Sequence, residues 1–354
     1  MKRVRYGLIG FGGIAENRIA KEGFACDSSR FSGHPHADLV VAWDPNGARA
    51  QAAKALGITW VHSVQEILQD KTIDAIVVAS NNSSHAYWGL EALKAGKHIL
   101  IEKPAGVTES EVMELVREAR TRKLSFGVDH MMTKNVYSDL AKSLITAGII
   151  GDIDSITLHM EFPFGFTPEE AATWRCANPV ELGGPIGDVG SHCFYMAEHL
   201  LDSQITSLKC VYIPKTLATP VEDGAFIEFA TEKGITGTAR VAFNQKRGSL
   251  GGTLLNLGYE IYGTKGFLEG KGTMFQLSGH EDEPVSLSLT SYVDNKITSH
   301  VPKNIENIYA RQISEHALSI IEGKPIDGEA ALRNLRMILL SHESAQTGGS
   351  TLVV

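Results

Sequence analysis

The sequence predicts two α/β units. The first is an N-terminal doubly wound parallel sheet over residues 1–128; the second is an α+β unit over 129–354 with a large, mostly antiparallel sheet. Three observations predict this. The chain has 354 residues, more than the roughly 250–300 at which single cores stop growing. Short β-branched runs alternate with helical segments as far as Val128. Beyond about residue 150, strand-like runs mostly follow one another without intervening helices.

In order, Val4–Gly10 and Leu39–Trp43 read as strands, and Ile73–Ala79 is a nearly continuous apolar run suited to a strand buried on both faces. His98–Ile101 and Ser125–Val128 are two further short strands. Between them, Ser63 to Glu66 and Thr108 to Glu111 have capping-box spacing, and a helix from Ser84 to Ala95 stops at Gly96. In the second unit Asp154–Glu161, Ile205–Ile213, Gly224–Ala230, Gly234–Phe243, Tyr259–Tyr262 and Gly266–Glu269 read as strands. Two helices, Ile308–Glu322 and Glu329–Thr347, close the chain. No Pro/Gly/Ser-rich linker divides the halves, so the two units are expected to pack around a shared cleft.

Hydrophobic residues make up 43% and charged residues 21%, a globular balance. The net charge is −8, and lysines and arginines are dispersed without a basic stripe, so no nucleic-acid partner is expected. No apolar run approaches the roughly 20 residues of a membrane span. The positively charged start, Met1 to Arg5, runs into Gly7, Gly10, Gly12 and Gly13 and reads as a first strand rather than a leader. Cys26, Cys176, Cys193 and Cys210 form neither a CxxC pair nor a disulfide-dense pattern, which points to a reducing cytoplasm. His34 and His36 flank a proline but lack further ligands, so no metal is expected.

Directly after the first strand, Gly10-Phe11-Gly12-Gly13-Ile14-Ala15 has the form G-x-G-x-x-A and opens a helix. Gly10 permits the tight turn, Gly12 lets the backbone approach a pyrophosphate, and Ala15 allows close helix–strand packing. Asp44 ends the second strand, where a carboxylate accepts hydrogen bonds from ribose hydroxyls and repels a 2′-phosphate; this favours NAD. Asp44 lies 34 residues after Gly10 instead of the usual ~20, so Lys21–Pro35 reads as an inserted loop. Arg49 lies close enough to keep NADP open.

Glu102-Lys103-Pro104 follows the strand His98–Ile101, at the end where α/β sheets bind ligands. Downstream, Asp188 and His192 have i,i+4 spacing and would share one face of a helix that buries its other side. Taken singly, a lysine before proline is ordinarily solvated and a histidine ordinarily structural. Together they meet the needs of alcohol oxidation: a base for the hydroxyl proton, a cation for the alkoxide, and a carboxylate to fix substrate or base.

These segments give the chain its likeness to a family. GLIGFGGIA at the N-terminus, LEALKAGKHILIEKP (Leu90–Pro104), Trp174-Arg175, GGPIGDVGSH (Gly183–His192), EIYGTKGFLEG (Glu260–Gly270) and the C-terminal IDGEAALRNLRMILLSHESAQTGG are similar to motifs of the Gfo/Idh/MocA oxidoreductases. That family includes inositol dehydrogenases and glucose–fructose oxidoreductase. The resemblance implies a Rossmann NAD(P)-binding domain followed by a catalytic and oligomerisation domain. It also implies that Lys103, Asp188 and His192 carry the chemistry: His192 as general acid/base, Lys103 at the alkoxide and nicotinamide ribose, Asp188 on a substrate hydroxyl and on His192. It further implies that Ser80, Asn81, Asn82 and His85 line the cofactor together with Glu102, with Trp174, Arg175 and Tyr309 near the nicotinamide. A sugar or polyol substrate and a homodimer or homotetramer follow from the same likeness. The chain departs from the family at Leu182, which replaces the first of three glycines, at Asp129-His130-Met131-Met132, and at the inserted loop.

Two other activities compete with a dehydrogenase. One is an NAD-dependent glycosidase on the same fold; the other is a dinucleotide sensor without catalysis, since a fold alone does not establish function.

Overall fold

The computed structural model describes residues 3–245, 257–272 and 287–354. Met1 and Lys2, part of the charged start, lie outside the described residues. The chain forms two compact units. One takes the residues through Lys134 together with Glu306–Leu335; the other takes the described residues between Asn135 and Ile305, and Arg336–Val354.

The first unit is built on a six-stranded sheet of β1 (Val4–Ile9), β2 (Ala37–Trp43), β3 (Thr59–Trp60), β4 (Ala75–Val78), β5 (His98–Ile101) and β6 (Phe126–Val128). The strand order is β3-β2-β1-β4-β5-β6, and every pairing is parallel. All four residues of β4 are buried, as its Ala-Ile-Val-Val run requires of a strand covered on both faces. Tyr6, Leu8, Ile9, Ile67, Ile76, Leu93, Ile99 and Phe126 form the best-buried part of this core. Both expected capping boxes are present, at Ser63/Glu66 and Thr108/Glu111. The two-residue β3 carried no pattern long enough to read.

Helix Ile308–Ile321 also belongs to this unit. Its buried residues Ile308, Tyr309, Gln312, Ile313, His316 and Ala317 make one stripe at helical spacing. The stripe is pinned by polar contacts. The Tyr6 hydroxyl and His316 Nδ1 are 2.8 Å apart, Ser125 and Ser319 hydroxyls 2.7 Å apart, and Asn307 Nδ2 donates to Glu22 at 3.2 Å. The inserted segment begins inside helix Ala15–Gly23 and continues as turns to β2. It is anchored by His34, whose Nε2 lies 3.0 Å from the Ala310 carbonyl. Among the described residues no cluster of three or more metal-ligating side chains occurs.

Among its described residues the second unit carries nine strands: β7 (Ile153–Glu161), β8 (Ile205–Tyr212), β9 (Gly224–Thr231), β10 (Thr236–Ala242), β11 (Leu257–Gly263), β12 (Gly266–Lys271), β13 (Ser288–Val293), β14 (Lys296–His300) and β15 (Leu352–Val353). Their order is β14-β13-β12-β11-β7-β10-β9-β8-β15. Only the β7/β10 pairing is parallel, so the sheet is mixed but mostly antiparallel. Along β7, buried Ile156, Leu158 and Met160 alternate with partly exposed Ser155, Thr157 and His159. Helices Val136–Thr146 and Ser191–Leu201 pack on the sheet. Among the described residues no helix is long and apolar enough to cross a membrane.

Candidate active site

In the first unit, the sheet order reverses between β1 and β4, which opens a crevice at their carboxyl ends. Gly10 sits there with φ of +90°, and a Cβ on it would lie 2.6 Å from the Ala79 and Ser80 backbone, so only glycine fits. A Cβ on Gly12 or Gly13 would meet nothing within 4 Å, and Ile14 is 42% exposed. The turn therefore presents open backbone, as a pyrophosphate requires. Phe11 contributes backbone only, because its ring is fully buried and stands edge-on to Trp60.

Asp44 is already engaged. Its Oδ2 accepts the Phe11 N–H at 2.7 Å and its Oδ1 the Asn46 N–H at 2.8 Å. It thus ties the end of β2 to the glycine turn while keeping further lone pairs. Arg49, the residue that kept NADP open, donates through Nε to the Phe11 carbonyl at 2.7 Å and forms an ion pair with Glu16.

The expected cofactor loop opens helix Asn82–Lys94. Ser80 and Ser84 hydroxyls are 2.7 Å apart, Asn81 Nδ2 donates to the Ser83 hydroxyl at 2.7 Å, and Asn82 is buried. His85 has a setting its sequence position did not suggest. It is 1% exposed, with Nδ1 2.8 Å from the Pro104 carbonyl and Nε2 3.0 Å from the Ser80 carbonyl. The ring braces the loop after β4 against the Lys103–Pro104 segment after β5, a peptide in the cis form. Glu102 and Lys103 stand at the end of β5, and the Lys103 N–H donates to Glu102 Oε2 at 3.2 Å. Tyr309 is 3% exposed; its hydroxyl is held well above its usual pKa by burial and by the Asp129 and Glu102 charges.

In the second unit, Asp188 and His192 do not lie on one regular α-helix. Ile186–Gly190 is wound as a π-helix, and the α-helix proper is Ser191–Leu201. The wider turn changes the facing that i,i+4 spacing implies. Nor does the segment leave one side open: every residue from Gly183 to Ala197 is buried, Asp188 at 5% and His192 at 1% exposed. Such burial demands polar partners. Arg175 Nε donates to Asp188 Oδ2 at 2.9 Å, with its guanidinium 4.6 Å from the Trp174 ring centre. His192 Nδ1 forms a short hydrogen bond with the Tyr195 hydroxyl. Arg175, expected near the nicotinamide, therefore balances the Asp188 charge.

The turn entering this helix is sterically tight. Leu182 takes the left-handed conformation, with φ of +49°, which ordinarily favours glycine. A Cβ on Gly187 would lie 1.9 Å from the Leu182 carbonyl oxygen, and one on Gly184 2.5 Å from the Glu222 carboxylate. Glu222 accepts the Ile186 N–H at 2.9 Å, and burial pushes its carboxyl up to about 7. Sequence reasoning missed both Glu222 and Tyr195. Tyr195 is three positions after His192, so helical spacing could have found it. Glu222 has no local signal, since it arrives from 36 residues downstream.

Comparison with known proteins agrees with both halves. Residues 4–130 match the oxidoreductase family with an NAD-binding Rossmann fold, and residues 139–269 match the GFO/IDH/MocA C-terminal domain. The chain is 26% identical to the 1,5-anhydro-D-fructose reductase of Ensifer adhaerens over 97% of each chain. It is 30% identical to the glucose-6-phosphate 3-dehydrogenase of Bacillus subtilis strain 168, over 57% of this chain and 55% of that one. The aldose-aldose oxidoreductase of Caulobacter crescentus, solved with glycerol, superposes over both full chains with a TM-score of 0.84 at 18% identity, a likeness of fold. A six-stranded parallel sheet with an open glycine turn, joined in sequence to the second domain of that same family, places this chain among the Gfo/Idh/MocA oxidoreductases.

Proposed function

We propose that this protein interconverts a secondary alcohol and a ketone on a sugar or cyclitol, with NAD as the preferred cofactor. The observation that carries the reading is the polar anchoring of two buried groups around the start of helix Ser191–Leu201. His192 has Nδ1 held by Tyr195, and Asp188, four residues earlier on the π segment, has its charge balanced by Arg175. A general base needs one ring nitrogen with a lone pair and a fixed orientation. In the tautomer whose Nδ1–H donates to the Tyr195 oxygen, Nε2 carries the lone pair that takes the hydroxyl proton.

The bound dinucleotide supplies the hydride acceptor or donor. Residues 1–128 act as its binding domain: the open backbone of Gly12, Gly13 and Ile14 receives the pyrophosphate, Asp44 the adenosine ribose, and the Ser80–Asn82 loop and Glu102 the nicotinamide end. Arg49 is engaged by Glu16 and the Phe11 carbonyl, which supports NAD over NADP. Residues 129–354 supply the general acid/base, and Lys103 joins them from the first unit. Asp188 binds a neighbouring substrate hydroxyl, with Trp174 and Arg175 beside it. Lys103 lowers the cost of the alkoxide. The sugar class is supported by the reductase similar over 97% of the chain. Four free cysteines support a reducing cytoplasm. Val211, Phe226 and Tyr262, each 37% or more exposed on the second sheet, support that sheet as a homodimer or homotetramer interface; sedimentation as a monomer would refute it.

The test follows nicotinamide absorbance with NAD or NADP and a panel of cyclitols, aldoses and glycosides, alongside Lys103→Met. Cofactor reduction that falls by about 10²-fold or more in the variant, with the fold intact, supports the reading. Sugar release without net reduction would favour the glycosidase, and binding without turnover the sensor.

A further inference from the structure

Asp129 is left over by the cofactor site, yet its position is specific. Strands β5 and β6 pair in parallel as Ile99↔Phe126, Leu100↔Gly127 and Ile101↔Val128. The next residues off each strand, Glu102 and Asp129, therefore stand side by side at the carboxyl ends, and Asp129 N–H donates to the Ile101 carbonyl at 2.8 Å. Two acids are thus forced together by register. Both side chains also line one small cavity, and like charges held this close disfavour ionisation of both acids at once.

The surroundings bury Asp129 and leave Glu102 half-buried. Asp129 is 4% exposed, Tyr309 and Gln312 3% each. With Glu102, Ile19, Val77 and Leu100 they line a cavity of about 10 Å³, the room of one water. Asp129 Oδ1 and Gln312 Oε1 are buried without a protein partner among the described residues, which is the arrangement a single bridging water satisfies.

The charged groups facing the pair are few. Lys103 follows Glu102 at the end of β5. Lys134, on the segment after β6, is paired with Glu315 at 2.6 Å. Both lysines favour ionisation of Asp129. Burial and the Glu102 charge outweigh them and hold the Asp129 carboxyl well above the ordinary carboxylate range. Tyr309 faces the pair from helix Ile308–Ile321 as a neutral phenol, with Arg18 and Glu22 beyond it on helix Ala15–Gly23. Neighbouring His130 is held neutral by burial, its pKa lowered to about 3.

We propose that Asp129 and Glu102 hold one proton between them at the ends of β5 and β6, and that Asp129 is thereby a positioning residue for Lys103. The coupling runs through the backbone, because Glu102 Oε2 accepts the Lys103 N–H. While the proton is shared, the pair carries one negative charge and Glu102 stays in place. Once it leaves to solvent, two adjacent carboxylates repel, and Glu102 moves with the peptide that carries the Lys103 amine. Only this last step rests on the oxidoreductase reading above.

The first arm of the test is independent of activity. An infrared difference spectrum, wild type minus Asp129→Asn at neutral pH, should show the carbonyl band of a protonated carboxylic acid. The subtraction removes the contribution of Glu222, which both chains share. A difference spectrum without that band overturns the shared proton. The second arm is the pH profile of kcat/KM. The wild-type alkaline limb should move up by about one pH unit or more in Asp129→Asn, whose amide donates to Glu102 and cannot ionise. Asp129→Leu, with no donor, should lose more activity than Asp129→Asn. An unmoved limb with the infrared band present overturns the positioning role. Silence across the whole substrate panel would strike the oxidoreductase reading, and the infrared arm would still decide the proton.

Discussion

Replacing Glu222 by glutamine separates its charge from its shape, and the effect on stability can be worked out. The carboxyl lies under the tight turn that enters helix Ser191–Leu201, accepts the Ile186 N–H at 2.9 Å, and has its pKa raised by burial to about 7. In an unfolded chain a glutamate titrates near 4.3. The folded state therefore keeps a proton that the unfolded state releases. The stabilisation is complete below about pH 4.3, drains away as pH rises, and is gone above about 7. Between about pH 5 and about pH 8 this amounts to at most about 2.5 kcal/mol, and to about 2 kcal/mol with allowance for solvent access. Glutamine has no such dependence, and its own hydrogen bonding shifts stability by a constant. Urea unfolding of both chains across that range gives the difference at each pH. The wild-type advantage should fall by about 2 kcal/mol toward high pH. A difference level to within about 0.5 kcal/mol would refute the assignment of a protonated Glu222.

Three further outcomes are expected. Asp44→Ala should weaken NAD binding by about tenfold or more and NADP binding less, by fluorescence titration; an unchanged preference would remove Asp44 as the ribose ligand. Tyr195→Phe should lower kcat/KM by about tenfold, the worth of one hydrogen bond orienting His192, with the thermal midpoint nearly unmoved; full activity would show that Tyr195 does not orient the base. Gly187→Ala should cost about 3 kcal/mol or more by denaturant unfolding, since its Cβ would lie 1.9 Å from the Leu182 oxygen. A loss under about 1 kcal/mol would mean the turn can open.

Most of the first sheet was legible because its strands are short apolar runs bounded by turn residues, with β5 the same four residues in sequence and structure. The second sheet was legible where alternation is clear, as in β7 and β9. It was not legible at β13 and β14, whose Ser-Leu-Thr-Ser-Tyr-Val and Lys-Ile-Thr-Ser-His stretches are polar and, in β14, largely exposed. Helix Ile308–Ile321 was readable as a helix, but its destination was not, because the Tyr6–His316 contact spans 310 residues. At the site, local motifs gave the glycine turn and the residues Lys103, Asp188 and His192. Tyr195 lay at readable helical spacing from His192, but the Arg175–Asp188 pair and the Glu222 contact with Ile186 could not be assigned, since sequence spacing names neighbours without saying which polar atoms must satisfy each other. The i,i+4 argument for Asp188 and His192 assumed α winding and met a π segment instead.

The stripe of helix Ile308–Ile321 has a consequence during synthesis. The sheet of the first unit is complete once Val128 has been made, but Tyr6, Ile19 and Gly23 have no cover from this helix until residues 306–335 emerge. At 5–20 residues per second, that is a wait of roughly 10 to 40 s with an apolar flank bare on the ribosome. The nascent sheet is a natural client for chaperones over that interval, and a recombinant fragment ending at Lys134 would stay in that uncapped condition permanently.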